Sequence, residues 1–366
     1  MTNFDLEGLF GCSVDEVDAV IQDMDSHVSF ARIPKKDGKF RTLTMPSDKL
    51  KAIQTNVLKN ILYRYRASAS AHGFMVGRSI VTGAQAHTYQ RTVMGCDIKS
   101  FFDNIRRGHL ENVLFGNRNL CEICRHKTRG CTSNLYRAVA EDDSHSSDVE
   151  NSGVRPPICE EILAVYDQEF VKTTGYQSLM TRVMDLCIYQ NKAPQGFPTS
   201  PAIGNLVLRH FDVVILRHCR KHDINYTRYA DDLTFSSTDK SPREMADLML
   251  KPVQRNLFAY GFRLNKDKTR ILGPRHRHVV TGVVVNSGTG IGRKRRLIIK
   301  AMLYNVMSGK VQKTDLELMQ LKGLCAFMKM LNPAHGKYLE RFSKWLIQRR
   351  WQQRRLRRQG LEPVTN

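Results

Sequence analysis

Two adjacent aspartates inside a strand-turn-strand pattern constrain this chain more than any other feature. Ile224-Asn225-Tyr226-Thr227-Arg228-Tyr229 is rich in β-branched and aromatic residues, and Leu233-Thr234-Phe235-Ser236 follows the turn Ala230-Asp231-Asp232. Each flank reads as a short strand, with the aspartates in the tight turn where Asp is at home. Two neighbouring carboxylates repel each other unless a cation holds them, and a hard, oxygen-seeking ion such as Mg²⁺ suits them. Alone, such a pair is more often a solvated turn than a metal site. A third acid tips the reading: Val93-Met94-Gly95-Cys96-Asp97-Ile98-Lys99-Ser100-Phe101-Phe102 reads as a buried strand ending at Asp97.

Three aspartates on two strand ends suit two-metal phosphoryl transfer, in which one ion activates a hydroxyl nucleophile and the other steadies the leaving oxygen. Charge points to the same class of partner. The 366 residues carry 57 Lys and Arg against 35 Asp and Glu, a formal net charge of +22 that fits a polyanion better than a merely solubilising surface. The length is ample for a large core split into subdomains. Met1-Thr2-Asn3-Phe4-Asp5 does not read as a secretion signal and no apolar run approaches membrane-spanning length. The expectation is a cytoplasmic protein without membrane contact, its nine cysteines reduced.

Along the chain, Ser13-Val14-Asp15-Glu16 is a capping box that opens a short helix to about Met24. Val28 to Thr44 reads as a basic hairpin about Lys35-Lys36-Asp37-Gly38. A helix is expected from Ser47 to about Arg66, with Ile53, Val57, Leu58, Ile61 and Leu62 inward. Ala71 to His87 is glycine-dotted and reads as a loop that nucleic acid can approach closely, although a lone His87 is usually structural. The segment 116–160 is polar and reads as an insertion. Its Cys121-x-x-Cys124, with Cys131, His126, His145 and Cys159 nearby, has half of a zinc pattern and no matching second pair. Free thiols are therefore preferred there over a structural Zn²⁺. Pro194-Gln195-Gly196-Phe197-Pro198-Thr199-Ser200-Pro201 must be irregular, with one long helix expected from Pro201 through His222. Ser241-Pro242-Arg243-Glu244 opens a helix to about Tyr260, with Pro252 as the place for a kink. Val279 to Val285 reads as an apolar strand, and three helices follow, over 293–305, 315–330 and 337–358, ending in a dense arginine run.

In these ordered motifs the chain resembles the reverse transcriptases, whose palm carries an acid followed by aromatics on one strand and a Tyr-x-Asp-Asp turn on another. Within them it resembles the bacterial retron enzymes, which have Asn-Ala-x-x-His before the palm and Val-Thr-Gly after it. Here the first is Gly83-Ala84-Gln85-Ala86-His87, with Gly in place of Asn, and the second is intact as Val280-Thr281-Gly282. The resemblance implies an α+β right-hand polymerase with fingers, a palm built of an antiparallel sheet plus helices, and a helical thumb. Its divisions would be 1–92 for the N-terminal helix and fingers, 93–115 for the first part of the palm, 116–160 for the insertion, 161–285 for the remaining fingers helices and palm, and 286–366 for the thumb.

It also implies roles. Asp97, Asp231 and Asp232, with the Ile98 carbonyl, would hold two Mg²⁺. Arg41, with Lys35 or Lys36, would meet the triphosphate, and Gln195, Gly196 and Tyr229 the nucleotide and template pair. Lys268, in Lys268-Thr269, would protonate the leaving pyrophosphate, a solvated lysine being the alternative. Phe102 would stack under the sugar and exclude a 2′-hydroxyl; the alternative is a core phenylalanine, a place Phe101 also suits. His87, Thr281, Arg293, Arg295, Arg354 and Arg355 would contact RNA. The partners implied are dNTPs, a cognate structured noncoding RNA and its DNA copy, and a separate effector protein in antiphage defence. Synthesis would start from an RNA 2′-hydroxyl, and with no second catalytic domain in sight RNase H action would come from elsewhere. The rival readings are a group II intron-like or other bacterial reverse transcriptase and a non-catalytic RNA-binding module on the same fold.

Overall fold

The structure is a computed structural model that describes residues 6–34, 38, 40–115 and 175–359. Two short helices, α1 (Leu6–Phe10) and α2 (Val14–Gln22), lead through a 3-10 turn into a two-stranded ribbon of β1 (Val28–Pro34) and β2 (Phe40–Pro46). The expected capping box is present, with Ser13 accepting from the Glu16 amide. Helix α3 (Asp48–Asn60) is capped by Ser47 and buries Leu50, Ile53 and Val57. It stops earlier than expected, at Asn60, because Leu62–Arg64 tightens into a 3-10 turn. Part of the expected loop over 71–87 is helical: Ser79 caps α4 (Ile80–Gln85).

The centre of the molecule is a four-stranded antiparallel sheet in the order β4-β5-β3-β6. Its strands are β3 (Thr92–Ile98), β4 (Asn225–Tyr229), β5 (Asp232–Ser237) and β6 (Leu264–Leu272). Helices α5 (Phe101–Asn104) and α6 (Arg107–Leu114) follow β3. Then, in described order, come α7 (Tyr176–Cys187), α8 (Ser200–Val207), α9 (Arg209–Lys221) and α10 (Pro242–Ala259). The long helix expected over 201–222 is two helices broken at Leu208, whose ψ of 1° is not helical. Met94, Cys96 and Ile98 of β3 pack with Leu233 and Phe235 of β5 and with the surrounding helices in one large core.

A second core lies beyond the sheet. The expected single strand over 279–285 is a hairpin, β7 (Val279–Val280) against β8 (Val283–Val284). Thr281 and Gly282 make the turn with φ of 47° and 85°, a left-handed pair that glycine accepts freely and threonine does not. Val280, Val283 and Val285 pack with Val81 and Ala84 of α4 and with helices α11 (Arg293–Met307), α12 (Asp315–Leu331) and α13 (Gly336–Arg358). The hairpin is thus the joint between the central sheet and the C-terminal helices. None of the described helices is long and apolar enough to cross a membrane.

Candidate active site

The carboxylates expected to work together are brought together by the register of two strands. Asp97 near the end of β3 faces Asp232 at the start of β5, and the Ile98 amide donates to the Asp231 carbonyl at 3.0 Å. Tyr229 pairs with Asp232, leaving Ala230 and Asp231 as a two-residue turn in which Ala230 holds a φ of 54°. Gly73 comes so close to this turn that a Cβ there would lie 3.0 Å from the Ala230 nitrogen. On the other side of β3 the register jumps from Gly95 opposite Arg270 to Asp97 opposite Asn265. That irregularity carries both Asn265 and Lys268 onto Asp97, at 3.1 and 2.9 Å from its two carboxylate oxygens.

The electrostatics are those of crowded like charges. Desolvation first, then Asp97, raises the Asp231 pKa from its ordinary value, while Lys268 and Arg41 oppose the shift. Asp232 is pushed up to about 6, by desolvation first and then by Asp231 and Asp97, although its side chain opens to solvent. The donor set is all oxygen and fits a hard divalent cation, which would relieve this repulsion. Among the described residues no three acidic, His or Cys side chains are gathered closely enough to hold a metal ion by themselves, so water and substrate oxygens would have to supply the rest of any coordination sphere. The Lys268 ammonium now neutralises Asp97, and Asp97 in turn raises the Lys268 pKa.

Around the turn the expected substrate residues are partly assembled. Arg41, exposed on β2, is near enough to Asp231 to temper the rise in its pKa. The Gln195 carbonyl accepts from the Thr44 amide at 2.8 Å, which locks the proline-rich loop to β2. Gly196 has a φ of 122°, and a Cβ there would be 2.2 Å from the Thr44 carbonyl oxygen, so only glycine fits. The Gln195 side-chain oxygen is buried with no hydrogen-bond partner among the described residues. Tyr229 packs against Phe74 with the rings tilted by 45° and their centroids 5.7 Å apart, and lines a groove of about 380 Å³ with Tyr63, His72 and the prolines Pro198 and Pro201. Phe101 takes the core position, wedged against Phe262 and Gly204, while its neighbour Phe102 is half-buried and packs against the edge of that core.

His87, expected at the RNA, lies instead in the core. It is fully buried, its Nδ1 at 2.7 Å from the Ser236 hydroxyl and its Nε2 at 2.8 Å from that of Thr227. Burial lowers its pKa to about 3, so it is a neutral strut between α4 and the sheet. Thr281 sits in the hairpin turn with its hydroxyl buried and unpartnered among the described residues. Arg293, Arg295, Arg354 and Arg355 are exposed on α11 and α13, far along the chain from the aspartates. Lys35, the side chains of Arg357 and Arg358, and the whole cysteine-containing insertion with its zinc question lie outside the described residues. Cys12, Cys96, Cys187, Cys219 and Cys325 are free thiols.

Sequence reasoning missed Asn265 as a partner of Asp97, and the buried cluster of Asp212, Arg228 and Asn205 behind the turn. Asn265 could have been suspected, since it stands beside Lys268 in one short run. The cluster could not, because an aspartate inside a helix and an arginine inside a strand carry no signal of pairing.

Comparison with known proteins decides the family. The family described as reverse transcriptase (RNA-dependent DNA polymerase) matches residues 33–116 and 160–285. The chain belongs to the reverse transcriptase family. That membership carries the polymerase fold and, for the family generally, divalent-metal chemistry. The chain is 32% identical to the retron Mx65 reverse transcriptase of Myxococcus xanthus, over 87% of this chain and 64% of that protein. It is 31% identical to the retron Mx162 enzyme of the same organism, over 86% and 60%. It is 26% identical to the retron Ec86 reverse transcriptase of Escherichia coli, over 91% and 85%. The chain therefore spans less than two thirds of the length of the two Myxococcus relatives.

Proposed function

We propose that this reverse transcriptase is of the retron type and copies a cognate structured RNA into DNA at Asp97, Asp231 and Asp232. The observation that carries the catalytic reading is the strand register, which sets Asp97 opposite Asp232 beside Asp231, where burial and the neighbouring aspartates raise the pKa of both turn carboxylates. The likeness to several retron enzymes supports the RNA-copying part. Bound at these carboxylates, two Mg²⁺ would activate the primer hydroxyl and stabilise the leaving pyrophosphate. The chain's own groups do the rest. Arg41 meets the triphosphate, Gln195 and Gly196 border the base pair, and Phe102 lies under the sugar. Lys268, charged and already beside Asp97, is placed to give a proton to the departing phosphate once substrate releases it.

Template binding is assigned to the basic helices. Arg293, Lys294, Arg295 and Arg296 crowd the N-terminus of α11, where the helix dipole disfavours positive charge. Charge kept against local stability fits phosphate contact. Self-priming from an RNA 2′-hydroxyl, a cytoplasmic location, and antiphage defence with a separate effector follow from the retron reading. The test incubates the protein with its cognate RNA and dNTPs without any primer. DNA that stays joined to RNA until a debranching enzyme cuts the 2′–5′ linkage supports the retron type. Extension of an annealed primer with no self-primed, debranchable product would leave a reverse transcriptase of another kind.

A further inference from the structure

The polar cluster behind the catalytic turn does more than fill the core. Tyr226 and Arg228 alternate with Thr227 and Tyr229 along β4, so they share one face of the strand. That face looks onto α9. There the Tyr226 hydroxyl donates to Asp212 Oδ1 at 2.7 Å, and Arg228 donates to the same carboxylate through Nε at 2.8 Å and Nη2 at 2.6 Å. Both charged side chains are wholly buried. The remaining edge of the guanidinium does not face the ion pair. Its Nη1 donates at 3.0 Å to Asn205 Oδ1 and at 3.1 Å to the backbone carbonyl of Ala230.

Ala230 is the residue of the turn that sits in the left-handed region, and Asp231 and Asp232 follow it directly. Asn205 extends the hold, its amide donating to the Gly73 carbonyl at 2.8 Å. The backbone of Arg228 is itself fixed to the loop before α4, through Ser70 and His72. We propose that Arg228 is a positioning residue whose guanidinium, held by Asp212 and Asn205, fixes the Ala230 carbonyl and so sets where Asp231 and Asp232 stand. A fork is needed for this. Arginine can bind a carboxylate with one edge and carbonyls with the other, whereas lysine offers one compact ammonium. A turn bearing two like charges needs such a fixture if its carboxylates are to keep their places as cations and phosphates come and go. The inference rests on the polymerase reading of the three aspartates.

Arg228→Lys keeps the charge and removes the fork. The double variant Asp212→Leu with Arg228→Met removes the buried pair as a unit and leaves no orphaned charge, a change that buried pairs often tolerate. Each is compared with wild type for melting, RNA affinity, steady-state primer extension and direct Mn²⁺ titration. The expected result is a folded protein with RNA affinity within about two-fold of wild type. Its kcat should fall about 10²-fold, as for a misplaced reacting group. The dNTP KM should change little, and both the half-saturating metal concentration and the Mn²⁺ dissociation constant should rise several-fold. If the double variant does not fold, Arg228→Lys decides alone. Wild-type kcat and metal dependence in either folded variant would overturn the proposal. Asp232→Asn run alongside separates the two readings: its inactivity beside an active Arg228 variant sinks the positioning role and leaves the polymerase intact.

Discussion

At the residue scale, the site is defined by groups held in unfavourable states. Asp232 carries a pKa raised to about 6 from 3.8, so in the metal-free protein its charge opposes folding. For a carboxylate whose folded pKa is raised, that penalty is absent below the unfolded pKa, grows as pH climbs through the interval, and is complete above about 6. Asp232→Asn should therefore stabilise the apo protein at pH 7.5, by about 1 kcal/mol after solvent screening of this exposed group is allowed for. The gain should vanish near pH 4. Thermal melts of the two proteins at both pH values measure this, and an equal or lower midpoint for the variant at pH 7.5 contradicts it. Phe102 makes a second residue-scale case. Because Phe101 fills the core and Phe102 only packs half-buried against its edge, Phe102→Ala should still fold and admit ribonucleotides. Competition between a dNTP and its rNTP should show the preference falling at least about ten-fold, or ~1.4 kcal/mol; an unchanged ratio would mean the ring is not the gate.

At the scale of elements, the loop over 194–201 and the ribbon β1–β2 behave as one part. The Thr44 amide bonds the Gln195 carbonyl, and the Thr44 oxygen lies where a Cβ of Gly196 would be. Gly196→Ala meets both a 2.2 Å clash with backbone and a φ of 122°. The loop must then shift, taking Gln195 with it. Nucleotide incorporation should drop by about 10²-fold while RNA binding at α11 and α13 is kept. Full activity in Gly196→Ala would show that the loop does not touch the nucleotide.

Much of this was legible in the sequence, and for identifiable reasons. The strands around Asp97 and Asp231-Asp232 were readable because period-two patterning and a turn rich in aspartate mark them locally. The breaks were not. Leu208 interrupts 200–221 without a proline or glycine, and the hairpin at Thr281-Gly282 hides inside an unbroken apolar run. His87 was misplaced for a related reason. Its partners, Ser236 and Thr227, lie some 140 to 149 residues away, and nothing local announces that two hydroxyls wait in the core.

At the scale of the whole molecule, a net charge of +22 and exposed arginines on α11 and α13 predict binding governed by counterion release. RNA affinity should fall steeply with salt, and neutralising Arg354 and Arg355 together should flatten the logarithmic slope by about 1.4 to 1.8. A slope equal to wild type would return that end of α13 to a solvated surface. A flattened slope would support the proposed division of labour, in which basic helices hold nucleic acid and the sheet performs the chemistry, with the β7–β8 hairpin packed against those helices.

The central claim is that the three carboxylates carry out RNA-directed DNA synthesis, and primer extension tests it most directly. A labelled DNA primer annealed to RNA is extended with dNTPs and Mg²⁺ by wild type, Asp97→Asn, Asp231→Asn and Asp232→Asn, with RNA affinity measured in parallel. Wild type should extend the primer. Each variant should lose about a thousand-fold in rate, ~4 kcal/mol of barrier, while binding RNA within about two-fold of wild type. Extension by Asp231→Asn and Asp232→Asn at more than a few per cent of the wild-type rate would contradict the account.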